Sequence, residues 1–413
     1  MESIKKGGDK LSKVYIVSAK RTPIGSFLGS LSTVHPADFG AAVVKAILAE
    51  TKVPAEDLDE VIVGNILPAG LGQGIGRQVS IKAGVPQSVP AYSINMACGS
   101  GMKAVMNAFN SIQAGWHDLI MVGGTESMSK APYIIPDRAR TGLKFGDFKV
   151  IDHMVYDALT DVFNQYHMGV TAENIVEKYG LTRQAQDEFA FNSQQKAIAA
   201  VDAGRFADEI VPIEVKMRRE TITFDTDEYP NRRSTLDKLG TLRAVFKKDG
   251  TVTAGNASGI NDGASFTLIA SEEAVKKYNL TPLVEVIGIG QGGVDPSIMG
   301  MGPVPAVKAA LDHAELTLAD MDLIELNEAF AAQSLGVVTE LSKQHGMSMD
   351  DILAKTNVNG GAIALGHPVG ASGNRITVTL IHEMIKRNAT YGLASLCIGG
   401  GMGTCLVVKR VEV

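Results

Sequence analysis

Short apolar runs alternate with helix-period stretches in two separate blocks of this chain, and that alternation constrains its fold more than any other feature. The first block holds apolar runs at 14–17, 61–63, 91–96 and 119–122. Helical spacing follows Pro36 (Phe39, Ala42, Val43, Leu48) and recurs over Met102, Val105, Met106, Phe109 and Ile112. The second block has runs at 266–270, 284–289, 323–326, 393–398 and 404–408, with helical stretches after Pro303 and after Asn327 and another beyond the Gly-rich turn at 359–373. Strands this short, interleaved with helices, bury their faces in a layered α/β fold.

The two blocks read as copies of one another. The strand and turn at 61–65 match 323–327, the turn and helix after Cys98 match those after Gly366-His367-Pro368, and 120–127 match 396–404. The order of these matches carries the argument more than residue identity does. Duplication places Cys98, Asn327, His367 and Cys397 at equivalent strand ends, which is where open α/β sheets bind ligands.

Between the blocks, over 130–258, strand-like runs become rare and charge density rises at 216–220, 225–228 and Arg232-Arg233. One strong helix is expected at 183–203, with Thr182 as N-cap and Gly204 as stop. This segment is expected to be an insertion packed over the end of the sheet.

With 413 residues the chain has room for two domains and a large core. Its net charge of -6 lacks the basic excess of a nucleic-acid-binding protein. Three cysteines, Cys98, Cys397 and Cys405, are too few and odd in number for a disulfide framework and point to a reducing compartment. Residues 1–13 are polar and lysine-rich with no apolar signal core, and 410–413 is not a peroxisomal tripeptide. No apolar run approaches the roughly 20 residues of a membrane span. The expected location is the cytoplasm.

Cys98 stands where the 91–96 run gives way to a helix, with Gly99 and Gly101 after it. At a helix N-terminus, unpaired N–H groups and the helix dipole favour a thiolate, so a lowered pKa is expected. A buried structural cysteine is the ordinary alternative. Cys405, inside an apolar terminal run, fits that alternative and receives no role.

Four segments then line up in order: Cys98-Gly99-Ser100-Gly101, Asn327-Glu328-Ala329-Phe330, Gly366-His367-Pro368-Val369-Gly370 and Cys397-Ile398-Gly399-Gly400-Gly401. A nucleophile, an amide, a base and a second thiol beside three glycines are the parts needed for acyl transfer with carbanion chemistry. With Ala254-Gly255-Asn256-Ala257-Ser258-Gly259-Ile260-Asn261-Asp262-Gly263-Ala264, they resemble the thiolase family over nearly the whole chain.

The resemblance implies a duplicated α/β fold, two similar halves forming a layered α-β-α-β-α core with an inserted loop domain. Its expected parts are an N-terminal half over 1–129, completed by about 261–280, a loop domain over 130–260 for CoA binding and tetramerisation, and a C-terminal half over 281–413. The implied reaction is condensation of two acetyl-CoA to acetoacetyl-CoA and CoA. Cys98 would carry the acetyl group, His367 would activate it and Cys397 would exchange a proton with the second acetyl-CoA. Asn327, through a water shared with His367, would form one oxyanion site, and the N–H groups of Cys98 and Gly399 the other.

For the CoA and acyl pocket the resemblance implies His167, Met168, Ser258, Met299, Ala254, Phe246, Ala329, Phe330 and Arg232. The joint presence of His167, Met168 and Met299 is similar to short-chain biosynthetic members. Where some relatives carry an arginine for the adenine, this chain has Asn231, with Arg232 and Arg233 following. Lys216, Arg218 and Arg219 serve equally as candidates for the CoA phosphates or as a solvated face. No cofactor is expected beyond the CoA thioester as substrate, and neither nucleic acid nor membrane as partner. The loop at 142–152 resembles the one joining two dimers into a tetramer.

Three other readings share these residues in part. A broad-range degradative 3-ketoacyl-CoA thiolase uses the same catalytic set and differs only in pocket shape. A ketoacyl synthase shares the fold and Cys98 but does not need Cys397. A non-catalytic thiolase-like protein would have lost a catalytic position, and none is missing here.

Overall fold

The computed structural model describes residues 12–412; most of the polar N-terminal stretch discussed above, and Val413, lie outside the described residues. In chain order the elements that build the core are β1 (Val14–Arg21), α1 (Pro36–Thr51), β2 (Glu60–Gly64), α2 (Ile75–Lys82), β3 (Ala91–Ile94), α3 (Ser100–Gln113) and β4 (Leu119–Ser127). They resume with β5 (Asn261–Ser271), β6 (Val284–Gly293), α4 (Pro303–Ala314), β7 (Leu323–Leu326) and α5 (Ala331–His345). The chain closes with α6 (Val369–Arg387), β8 (Tyr391–Ile398) and β9 (Met402–Arg410).

The duplication is visible in the strand order. Among the described residues the main sheet runs β7-β8-β9-β6-β1-β5-β4-β2-β3, with the short strand Gly25–Ser26 pairing off β5. In the first half β5 lies antiparallel between β1 and β4, and β4 is parallel to β2. In the second, β9 lies antiparallel between β6 and β8, and β8 is parallel to β7. The strands of the two halves pair through β1 and β6, at Tyr15↔Glu285 and Ile16↔Val284.

Period-two side-chain alternation divides each half between two layers of core. On β4, Ile120 and Val122 face inward onto Met102, Val105 and Phe109 of α3 and Ile376 and Leu380 of α6, while Met121 faces the outer core of α1. On β9, Leu406 and Val408 face inward and Cys405 and Val407 face outward onto α4 and α5. The order is therefore α1/α2, first-half strands, α3/α6, second-half strands, α4/α5. Cys405 is fully buried in the outer layer, as its apolar setting predicted.

Local signals account for several boundaries. Pro36 occupies the first turn of α1, and Thr182 accepts from Ala185 N at 3.1 Å to cap a helix over Arg183–Asp202. One expectation is corrected, and one charged run takes a form that the sequence had left open. The strand expected at 266–270 begins at Asn261, because its polar residues are paired inside the core: Ser265 Oγ donates to Asn374 Oδ1 at 2.7 Å and Asn374 Nδ2 to Thr267 Oγ1 at 3.0 Å. The charged run at 216–220 is the turn of a hairpin, Ile213–Lys216 with Thr221–Phe224. Its Ile213, Val215 and Phe224 join the α1 core, and none of Lys216, Arg218 or Arg219 lines the cleft described below.

Candidate active site

The sulfur of Cys98 is presented by a tight turn between β3 and α3. Ala97 has φ +42°, left-handed for a residue with a side chain, a strain often found where a reactive group must be held. Ser100 Oγ donates to Ala97 O at 2.6 Å and accepts from Met96 N at 2.8 Å, closing the turn. A side chain at Gly99 would place its Cβ 2.3 Å from Ile398 Cδ1, so the Ile398 side chain would have to shift to admit one.

Cys98 opens onto a cleft of about 500 Å³. Of the residues expected from sequence, His167, Met168, Phe246, Ala254, Ser258, Met299, Ala329, Phe330, His367 and Gly399 line it with Cys98. Cys397 and Asn327 lie just outside it: Cys397 is fully buried and Asn327 is 1% exposed. Neither the Oδ1 nor the Nδ2 of Asn327 has a hydrogen-bonding partner among the described residues. Arg232 is elsewhere. Its guanidinium is paired with Asp202 on an exposed surface, while Asn231 is held through its backbone N–H by Gln194 Oε1 at 2.8 Å.

The electrostatics of Cys98 overturn the expected depression of its pKa. Burial pushes the thiol up to about 11, against the opposing pull of the Gly399 and Cys98 backbone N–H groups on the sulfur; the Glu126 carboxylate adds to the rise. Removing a thiolate from water outweighs two oriented amides. Burial, and then the nearby Cys98, push the Cys397 thiol further still above its ordinary value. Burial thus favours the thiol form at both sulfurs.

His367 is set up to take a proton. Burial and the nearby Arg375 charge lower it to about 4, so the ring is neutral. With the Ser372 hydroxyl proton on Pro368 O at 2.9 Å, the 2.6 Å contact with His367 Nδ1 is satisfied by the Nδ1–H tautomer. The Nε2 lone pair is left for the cleft. Asn261 Oδ1 accepts from the His367 backbone N–H at 2.9 Å and fixes the chain there.

His167 shows the opposite arrangement. Its Nδ1 accepts from Gly169 N at 3.0 Å and caps the helix Met168–Tyr179, so the ring proton is on Nε2. The ring stacks on Phe246 with centroids 4.5 Å apart, and Phe246 meets Phe330 edge-on at 6.1 Å. Burial lowers its pKa as well.

Two supporting residues had no local sequence signal. Glu126, at the end of β4, accepts from Asn65 Nδ2, Ile66 N, Leu67 N and Gly370 N at 2.9–3.2 Å, tying the turn after β2 to the first turn of α6. Burial raises it to about 7. Ser372 was legible only in retrospect, five residues after His367 in the first helical turn. Tyr229, Leu159, Met128 and Ile260 also line the cleft and were missed. Among the described residues no group of three or more His, Cys, Asp or Glu side chains is arranged to hold a metal ion, and no helix is long and apolar enough to cross a membrane.

This arrangement can form a thioester on Cys98, with two backbone donors at its sulfur, a neutral imidazole lining the same cleft and a second buried thiol nearby. The family models described as Thiolase, N-terminal domain and Thiolase, C-terminal domain match residues 14–273 and 280–410. An acetyl-CoA acetyltransferase of Cupriavidus necator is 52% identical over 97% of this chain and 100% of its own length. One of Escherichia coli is 52% identical over 96% of this chain and 99% of its own. Among solved structures, the acetyl-CoA acetyltransferase of Syntrophomonas wolfei superposes with a TM-score of 0.94 at 40% identity, covering 97% of this chain and 100% of that one. The human mitochondrial 3-ketoacyl-CoA thiolase superposes at 0.92 with 45% identity, covering 97% and 100%.

Proposed function

The chain belongs to the thiolase family, and on that premise we propose that it is an acetyl-CoA C-acetyltransferase. It condenses two acetyl-CoA reversibly to acetoacetyl-CoA and CoA by a ping-pong route through acetyl-Cys98. The observation that carries this reading is the convergence on one sulfur of the Gly399 and Cys98 amides, within a cleft shared with a neutral His367.

In the first half-reaction Cys98 Sγ attacks the thioester carbonyl while His367 Nε2 takes its proton. A resting thiol near 11 beside a base near 4 makes a separate ion pair costly, so the proton moves as the C–S bond forms. The tetrahedral oxyanion faces the N–H groups of Cys98 and Gly399. Its collapse expels CoA thiolate, which takes the proton back from His367.

In the second half-reaction Cys397 first gives its own proton to solvent and then, as the thiolate, removes a methyl proton from the next acetyl-CoA. The enolate carbon bonds to the acetyl carbonyl carbon, the C–S bond to Cys98 breaks, and the released Cys98 thiolate takes a proton back from solvent. The burial that keeps Cys397 protonated also makes its thiolate a strong base, and in thiolysis the thiol is the acid. Asn327, through a water shared with His367, stabilises the enolate oxygen; its unpartnered amide supports that role. Ser258, Ala254, Phe246, Ala329 and Phe330 hold the pantetheine arm, and His167, Met168 and Met299 border the acyl group.

We also propose a homotetramer in the cytoplasm. Tyr133, Phe145, Val162 and Phe163 stand exposed between β4 and the helix at Met168–Tyr179, an apolar surface suited to another copy of the chain. The three cysteines are unpaired.

The test is peptide mass after incubation with acetyl-CoA. An acetyl group on the Cys98 peptide of the wild type, absent in Cys98→Ser, is expected. Acetoacetyl-CoA formation by Cys98→Ser at the wild-type rate would sink the assignment.

A further inference from the structure

Asn327 presents a problem of positioning. Its side chain is buried yet makes no hydrogen bond among the described residues, so nothing bonded to that amide sets its direction. The direction must come from the backbone on either side, and there the structure is unusually restrained.

Asn357 grips the residue before it. Its Oδ1 accepts from Leu326 N at 2.9 Å, and its Nδ2 donates to Leu326 O at 2.7 Å. The same Nδ2 donates to Glu328 Oε1 at 2.9 Å, on the residue after it. One side chain thus spans the peptide segment that carries Asn327. Glu328 is held in turn by Ser193 Oγ at 2.6 Å and Ile363 N at 3.3 Å. Ser193 Oγ also accepts from Gly361 N at 3.0 Å, and a Cβ on Gly361 would lie 2.2 Å from the Glu328 carboxyl carbon.

Asn357 itself has φ +45°, in the left-handed region that asparagine tolerates better than most residues. Ser193, Glu328 and Asn357 are all buried and line a separate cavity of about 230 Å³, not the substrate cleft. None of them lines the cleft that Cys98 opens onto.

We propose that Asn357, backed by Glu328 and Ser193, is a positioning residue that aims the Asn327 amide at the enolate site. This rests on the role assigned to Asn327 above. Because that role belongs to the second half-reaction, the clamp should matter for condensation and not for acetylation of Cys98.

The experiment is a double-mutant cycle on the full-length protein with Asn357→Gly and Asn327→Ala. Glycine keeps the left-handed backbone and removes only the side chain. Acetylation of Cys98 by acetyl-CoA and condensation by the pre-acetylated enzyme are measured separately, with thermal unfolding alongside. Asn357→Gly is expected to slow condensation on the order of 10- to 100-fold while acetylation stays near wild type. Added to Asn327→Ala, it should cost nothing further. Ser193→Ala, which removes one bond to Glu328, should give the same selective effect more weakly.

A lower melting temperature with unchanged condensation would overturn the proposal, as would equal losses in both half-reactions or additive losses in the cycle. If Asn327→Ala alone condenses at the wild-type rate, the role of Asn327 is wrong and the clamp falls with it. That result is distinguishable because it appears without any change at Asn357.

Discussion

His167 and His367 line one cleft, each with its Nδ1 held by a different partner. Gly169 N donates to His167 Nδ1, and His367 Nδ1 lies 2.6 Å from Ser372 Oγ. With the Ser372 proton on Pro368 O, one ring turns a donor towards the substrate and the other an acceptor. Two histidines of the same kind could not share the work in this way, since a base must be free of its proton and a hydrogen-bond donor must keep it.

The first prediction concerns pH. His367, lowered to about 4, loses its function as a base only as pH falls through that value, and Cys98 becomes a thiolate only as pH rises through about 11. Single-turnover acetylation of Cys98 should therefore be level between about pH 6 and about pH 9. A sigmoidal rise centred near neutrality would show a titrating sulfur or imidazole there and contradict the resting thiol.

Cys397→Ala should separate the two half-reactions. The side chain is buried behind Cys98 and contributes no base to acetylation, so the acetyl-Cys98 peptide should form as in the wild type. Condensation should drop by about 10²- to 10⁴-fold, the usual contribution of a positioned acid–base group. Loss of acetylation in this variant would place Cys397 in the wrong step.

Met299 packs with Ala329, Phe330 and Cys397 and is 3% exposed. If it closes the acyl pocket, thiolysis should slow as the 3-ketoacyl-CoA chain is lengthened beyond acetoacetyl-CoA, and Met299→Ala should flatten that decline. Rates measured over a chain-length series decide it. A flat profile in the wild type would favour the broad-range reading instead.

Glu126→Gln should destabilise the fold by about 1–3 kcal/mol, read from denaturant unfolding. Both carboxylate oxygens accept from two donors each, and an amide nitrogen in either place would face N–H groups it cannot bond. No loss of stability would mean that these contacts do not brace the turn after β2.

The layered fold was legible because apolar strands announce themselves by composition and helices by spacing. Thr182 and Pro36 marked helix starts by purely local chemistry. What stayed hidden depends on partners distant in sequence. The start of β5 is polar, and only Asn374 makes that polarity tolerable in a core. Glu126 gains its role from Gly370, and Asn357 gains its own from Leu326 and Glu328. The charge state of Cys98 was misjudged for a related reason. A helix N-terminus can be read from a sequence, whereas the depth at which it is buried cannot.

The duplication also separates two equivalent asparagines by what surrounds them. Asn65, after β2, donates to both Thr125 O and Glu126, whereas the Asn327 side chain, after β7, has no partner among the described residues. The same position in the repeat is a brace in one half and a free amide in the other.

The pairing of β1 with β5 has a consequence for how this protein is made. Val14 lies opposite Ser271, so the first half cannot close its sheet until the ribosome has delivered nearly two thirds of the chain. Until then β1 and β4 each lack the neighbour that lies between them, leaving β-rich edges open to other nascent chains. Closure over so long a loop is intrinsically slow. The second half waits in the same way for β9, whose Arg410 lies opposite Val284, though over a loop about half as long.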